Sequence, residues 1–161
     1  MSQHSAGILL YRFRDGRLEL LLGHPGGPFF ARKDEGVWSI PKGLREDGED
    51  LLQTARREFG EETGFAVDGQ FLELGSARMR SGKTVHVWAL EKDVDADRAV
   101  SNHFEMEWPR GSGRVRSYPE MDRAAWFPLT EARTRIFPGQ RVFLDRLLAQ
   151  IGYTEGDGAA N

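Results

Sequence analysis

No cysteine occurs in the chain, which excludes disulfides, thiolate metal sites and a cysteine nucleophile. No serine stands in a recognisable arrangement with a histidine and an acid, so covalent catalysis by the protein has little to build on. No apolar run is long enough to span a bilayer, and Met1-Ser2-Gln3-His4-Ser5 lacks the basic and apolar regions of a signal peptide. These absences read as a cytoplasmic protein with no membrane partner. No large excess of either charge sign is present, and a formal net charge of -3 argues against broad electrostatic binding of a nucleic acid polymer. A small anionic substrate stays open, because metal ions and local arginines can reverse the potential within a cleft. A length of 161 residues suits one core. The expectation is a single domain over 1–153 and a small, polar, disordered tail over 154–161.

What is present is concentrated in Gly43 to Phe65, GLREDGEDLLQTARREFGEETGF. Leu51, Leu52, Ala55 and Phe59 make an apolar helical stripe, so the segment reads as an amphipathic helix. Asp47, Glu49 and Asp50 sit near its start, where negative charge suits the macrodipole, and Gly64 can end it in a left-handed turn. At about 100° per residue, Glu58, Glu61 and Glu62 fall within an arc of roughly 100° beside the stripe. Carboxylates so crowded repel one another unless a cation sits among them, and a divalent metal is the natural candidate. Arg57 lies one helical turn before Glu61, within reach of an orienting ion pair. Glu49 sits about 180° around the helix from Glu58, which argues for a role at the helix start. A solvated acidic helix face is the bland alternative for the whole group.

Around this segment, Ala6 to Phe13 and Leu18 to Gly23 read as a hairpin across Asp15-Gly16. His24 to Gly36 reads as a long loop and Val37 to Ile40 as a short strand. Gln70 to Arg80, Lys83 to Leu90, Phe104 to Trp108 and Ala124 to Phe127 read as further strands. Pro109 to Ser117 reads as a loop, and Gly139 to Ile151 as an amphipathic helix. Mixed strands and two main helices place the chain in the α+β class, with a sheet covered on both faces. Trp38, Phe29 and Phe30 are read as packing residues, with stacking on a base as the alternative. His24, His86 and His103 show no metal or triad spacing.

The segment resembles the Nudix box, G-x5-E-x7-R-E-U-x-E-E-x-G-U with U a bulky apolar residue. Gly43, Glu49, Arg57, Glu58, Phe59, Glu61, Glu62, Gly64 and Phe65 fill every specified position. The resemblance extends to the run-in Trp38-Ser39-Ile40-Pro41-Lys42. It implies an α/β/α sandwich with a mixed β-sheet between helices, and a metal-dependent pyrophosphohydrolase using magnesium, with manganese as a substitute. It implies Glu58 and Glu62 as main metal ligands, Glu61 as ligand or water-activating base, and the Gly43 carbonyl as a further ligand. It also leads to an additional acid outside the box. Glu120, shortly before Trp126-Phe127, is the first candidate, and Glu105 the second.

Substrate contacts are expected from Lys42 beside the box, from Arg78 and Arg80, and from Arg114 in the glycine- and arginine-rich loop, as point charges or bidentate guanidinium groups. The substrate class is a nucleoside diphosphate linked to another group, with nucleoside triphosphates and dinucleoside polyphosphates foremost. The tyrosine that some dinucleoside polyphosphate hydrolases of the family carry after the box is replaced by Ser81-Gly82-Lys83. The proline common in ADP-ribose hydrolases is replaced by Arg80-Ser81. A non-catalytic nucleotide-binding module is the alternative class, and a homodimer through the Phe29-Phe30 loop is compatible with either.

Overall fold

The computed structural model describes residues 3–155. β1 (His4–Arg14) and β2 (Arg17–Pro25) form a hairpin closed by Asp15 and Gly16, at φ 54° and 77°. Positive φ at both turn residues is the primed-turn geometry that an Asp-Gly pair favours and that matches strand twist. β3 (Lys42–Leu44) pairs antiparallel with the start of β1, Lys42 opposite Gly7 and Leu44 opposite Ser5. β4 (Leu72–Arg78) pairs with β5 (Thr84–Glu91), which runs parallel to β1. β6 (His103–Glu107) and β7 (Val115–Pro119) form a separate hairpin, and β8 (Met121–Pro128) closes the far edge of the main sheet against β2. The main sheet is therefore mixed, in the order β4-β5-β1-β2-β8 with β3 added to β1.

Helices cover both faces. α1 (Leu51–Thr63) buries Ala55 and Phe59 against Ala6, Ile8 and Leu10 of β1. α2 (Leu129–Arg135) and α3 (Arg141–Ile151) bury Ala132, Phe143 and Leu147 against the opposite face, with Leu9 and Tyr11. Burial on both faces explains why β1 reads as a near-continuous apolar run. The α+β sandwich is the observed architecture. No helix among the described residues is long and apolar enough to cross a membrane.

Several boundaries differ from the sequence reading. Val37 to Ile40 is not a strand and contributes only isolated bridges, Ser39 to Gly23 and Trp38 to Ile136. Its backbone is satisfied from elsewhere, the Ile40 amide donating to Gln140 Oε1 at 2.9 Å, and the short pairing strand falls at Lys42–Leu44 instead. Val115 to Ser117, expected as loop, belongs to β7, whose first residues are exposed and lack the alternation that marks a half-buried strand. α2 was too short for its periodicity to register. Glu155, within the expected tail, is held by Arg133; residues 156–161 lie outside the described part.

α1 opens with a capping box. Asp50 Oδ1 accepts from the Gln53 amide at 2.8 Å, and Gln53 Oε1 accepts from the Asp50 amide at 2.9 Å. It ends at Gly64, in the left-handed region at φ 79°. Asp50→Ala is expected to lower stability by about 1 kcal/mol, read as a lower midpoint in urea unfolding with unchanged slope.

Candidate active site

The site grows from the contact between α1 and β3. Gly43 lies so close to α1 that a Cβ on it would stand 2.0 Å from Glu58 Cδ. Only glycine leaves room for that carboxylate. Arg57 fastens the arrangement: its Nε and Nη2 donate to the two Glu49 oxygens at 2.7 and 3.0 Å, and Nη2 also to the Leu44 carbonyl at 3.0 Å. Its Nη1 donates to Glu58 at 2.8 Å and to Glu61 at 3.2 Å. The sequence suggested the Arg57–Glu61 pair. The bidentate partner is Glu49, across the helix start, because the loop 45–50 turns it back beneath the guanidinium. Glu49 also accepts from the Glu46 amide and the Thr54 hydroxyl. The hydrogen bonds from Arg57 are the main cause that takes its pKa down to about 2.

The remaining acids are poorly compensated. Burial, then the charge of Glu58, pushes Glu62 up to about 8, against opposing pulls from Lys42. Glu58 is raised chiefly by burial, with Arg57 opposing and Glu61 and Glu120 adding to the rise. Glu120, outside the box, is thus close enough for its charge to bear on both Glu58 and Glu62. Its position comes from Asn102, whose amide donates to the Glu61 carbonyl while its own carbonyl accepts from the Glu120 amide, both at 2.8 Å. Glu105 lies on exposed β6, opposite Ser117.

Lys42 faces these carboxylates, with its pKa lowered by burial despite the pull of Glu62 and Glu58. Lys83 adds to that lowering, so the β4–β5 turn brings a second cation near the site. Arg78 and Arg80 are exposed and alternate with Met79, which packs on the core under α3. Arg114 sits at the outer end of the β6–β7 hairpin, its carbonyl accepting from the Trp108 amide. Phe137, 46% exposed, stands near Met79, both approaching Gly139; no periodicity in the sequence singles it out. Trp38 is core, 2% exposed, its indole donating to Asp34.

Glu58, Glu61, Glu62 and Glu120, with the Gly43 carbonyl, are the oxygen donors that could serve a hard cation such as magnesium. Buried carboxylates with raised pKa values fit a cation as their missing partner. Among the described residues no three acids or histidines stand close enough together, as placed, to hold a metal ion; Arg57 holds Glu58 and Glu61. A separate cavity of about 590 Å³ lies at the other end of β1, lined by Arg12, Asp93 and Trp126 among others. Its Arg12 is consumed by Glu19 and Asp93 and stacks on Trp126.

The NUDIX domain model matches residues 1–147, and the chain belongs to the Nudix family of hydrolases. It is 31% identical to the bis(5'-nucleosyl)-tetraphosphatase [asymmetrical] of Sus scrofa over 67% of this chain and 79% of the relative. It is 28% identical to the RNA pyrophosphohydrolase of Caulobacter vibrioides, over 95% of this chain and 88% of the relative. Among solved structures, a C. elegans Ap4A hydrolase binary complex matches with TM-score 0.64 and 22% identity, covering 93% of this chain and 99% of the other. The NUDIX domain of Shewanella oneidensis NrtR complexed with ADP ribose matches with TM-score 0.65 and 16% identity, over 94% and 89%. Both structural likenesses speak for the fold.

The raised pKa of Glu62 sets a pH dependence. A carboxyl whose folded pKa exceeds its unfolded value favours the fold at low pH. That contribution is lost as pH rises from the ordinary carboxylate range through about 8. A cation must displace the proton, so its affinity rises over the same window. The melting-temperature gain from added magnesium should therefore be larger at pH 8.5 than at pH 6, and Glu62→Gln should flatten the difference. Gly43→Ala should shrink the gain at both pH values by displacing Glu58; an undiminished gain would contradict the close packing.

Proposed function

We propose that the chain is a magnesium-dependent pyrophosphohydrolase that hydrolyses a phosphoanhydride in a nucleoside diphosphate-linked substrate. Dinucleoside polyphosphates and nucleoside triphosphates are the leading classes. The observation that carries this reading is the mutual proximity of Glu58, Glu62 and Glu120, with Glu58 packed on Gly43 and half-buried Lys42 beside Glu62 and Glu58. When bound, magnesium would neutralise the phosphates and acidify a water. Glu58, Glu62, Glu120 and the Gly43 carbonyl would hold it.

Glu61 is the more exposed acid of the helix, its side chain 40% accessible against 15% for Glu58. It is placed to accept a proton from the attacking water, with Arg57 keeping its carboxylate in position. Lys42, in a drier setting, holds a phosphate oxygen as a point charge, and Lys83 supports it. Water oxygen bonds to phosphorus, the bridging P–O bond breaks, and the leaving phosphate departs with a proton. The similarity to a tetraphosphatase supports a polyphosphate chain.

The test is a nucleotide panel in magnesium that includes a 5′-triphosphorylated oligoribonucleotide, since one relative is an RNA pyrophosphohydrolase. Hydrolysis in oxygen-18 water then locates the attacked phosphorus. Glu61→Gln and Glu62→Gln should each lower kcat by about 10²-fold or more with circular dichroism unchanged. Saturable binding with no turnover by the unaltered protein would instead favour a nucleotide sensor.

A further inference from the structure

The reaction centre draws one acid, Glu120, from outside α1 and β3, and the way β8 begins decides where that acid points. β2 and β8 pair regularly from Glu19 opposite Pro128 to His24 opposite Arg123, and then Pro25 stands opposite Met121. Asp122 is therefore an extra residue on β8, a one-residue bulge. Core packing agrees: Met121 and Ala124, three apart, lie in the same α1-side cluster, which the two-residue alternation of a regular strand does not allow. A one-residue shift exchanges the faces of every residue beyond it. Glu120 thus owes its direction to Asp122 standing outside the ladder.

A buried histidine clamps the bulge. His24 is 1% exposed and stands edge-on to Trp38, ring centroids 5.1 Å apart. Its Nδ1 meets Asp122 Oδ1 at 2.8 Å, and its Nε2 meets the Lys33 carbonyl at 2.6 Å. A carbonyl oxygen only accepts, so Nε2 carries a hydrogen and donates it. The ring thereby ties the bulge to the far end of the loop after β2. That loop has little apolar hold of its own. No residue from 27 to 35 is buried, and Phe29, 56% exposed, does not pack into the core as the sequence reading held. Inside the stretch that the imidazole closes, the Gly26 amide donates to the Glu120 carbonyl at 3.0 Å. A Cβ on Gly26 would lie 1.8 Å from the Pro119 carbonyl oxygen, so this approach needs glycine. The Asn102 carbonyl accepts from the Glu120 amide on the other side. Glu120 is gripped twice, and one grip runs through the loop that His24 closes.

We propose that His24 and Asp122 are positioning residues for the reaction: the buried imidazole and the bulge carboxylate hold the start of β8 so that Glu120 stands by Glu58 and Glu62. The inference rests on the pyrophosphohydrolase reading, in which Glu120 is a metal ligand, and deepens it. It gives His24, which has no metal or triad spacing in the sequence, a task at one remove from the metal.

Asp122 is the residue to alter, because its side chain is 34% exposed and its loss opens no buried cavity, as loss of His24 would. The readout is the magnesium concentration that gives half of the melting-temperature gain, taken without nucleotide. Asp122→Ala should raise it about tenfold, as loss of an outer partner of a metal ligand does. Asp122→Asn keeps an amide within reach of His24 Nδ1 and should restore most of the affinity. In a Glu120→Gln background, Asp122→Ala should add no further loss, because both changes act through one carboxylate. A lower melting temperature with an unchanged magnesium midpoint makes the pair structural and overturns the proposal. The same holds if Asp122→Ala costs as much affinity without Glu120 as with it. Equal weakening by Asp122→Asn and Asp122→Ala would assign the effect to the carboxylate charge and sink the clamp. The nucleotide panel keeps the two readings apart. An unaltered protein that binds magnesium and turns over no nucleotide overturns the pyrophosphohydrolase reading and leaves the clamp to be judged by the midpoints. An unaltered protein indifferent to magnesium overturns both.

Discussion

One guanidinium holds the site together. Arg57 reaches the helix start through Glu49, the neighbouring strand through the Leu44 carbonyl, and the working face of α1 through Glu58 and Glu61. Planar, forked donors make that junction possible in a way a point charge would not. The geometry also sorts the acids. Glu49 is bound twice and strongly acidic, so its charge is spent on the scaffold. Glu62 is half-buried, and burial pushes its pKa up to about 8 against the pull of Lys42.

The close approach of β3 and α1 depends on that junction. Gly43 touches the Glu58 carboxylate where any side chain would intrude, and Lys42 is carried into the same neighbourhood on the adjacent residue. Three more carboxylates add their fields. Crowding like charges in a partly dry setting is unfavourable for the bare fold, and that unfavourable energy is what makes a cation a strong partner. The chemistry and the packing are therefore one arrangement, in which the helix cannot be moved off the strand without dispersing the acids.

Asn102 extends the arrangement past the helix. By bonding Glu61 on one side and Glu120 on the other, it ties the end of α1 to the root of the β6–β7 hairpin. The loop after β2 is pinned to the same root through Gly26 and His24. Elements far apart in sequence thus meet at Glu120.

The sequence by itself determined the family and the local elements. Helical spacing gathered Glu58, Glu61 and Glu62, the Asp50 and Gly64 signals bounded α1, and Asp15-Gly16 closed the first hairpin, all through interactions spanning one or two turns of chain. The family followed from the box, because its specified residues fall within that single local unit. Tertiary structure alone decided the rest. It gave Arg57 its chief partner in Glu49 and moved the short pairing strand from Val37–Ile40 to Lys42–Leu44. It also brought Lys83 near Lys42 and left Phe29 exposed on the loop after β2. Each of these depends on which backbone groups are satisfied across the fold and which faces are left to solvent, and neither is encoded in the spacing of neighbouring residues.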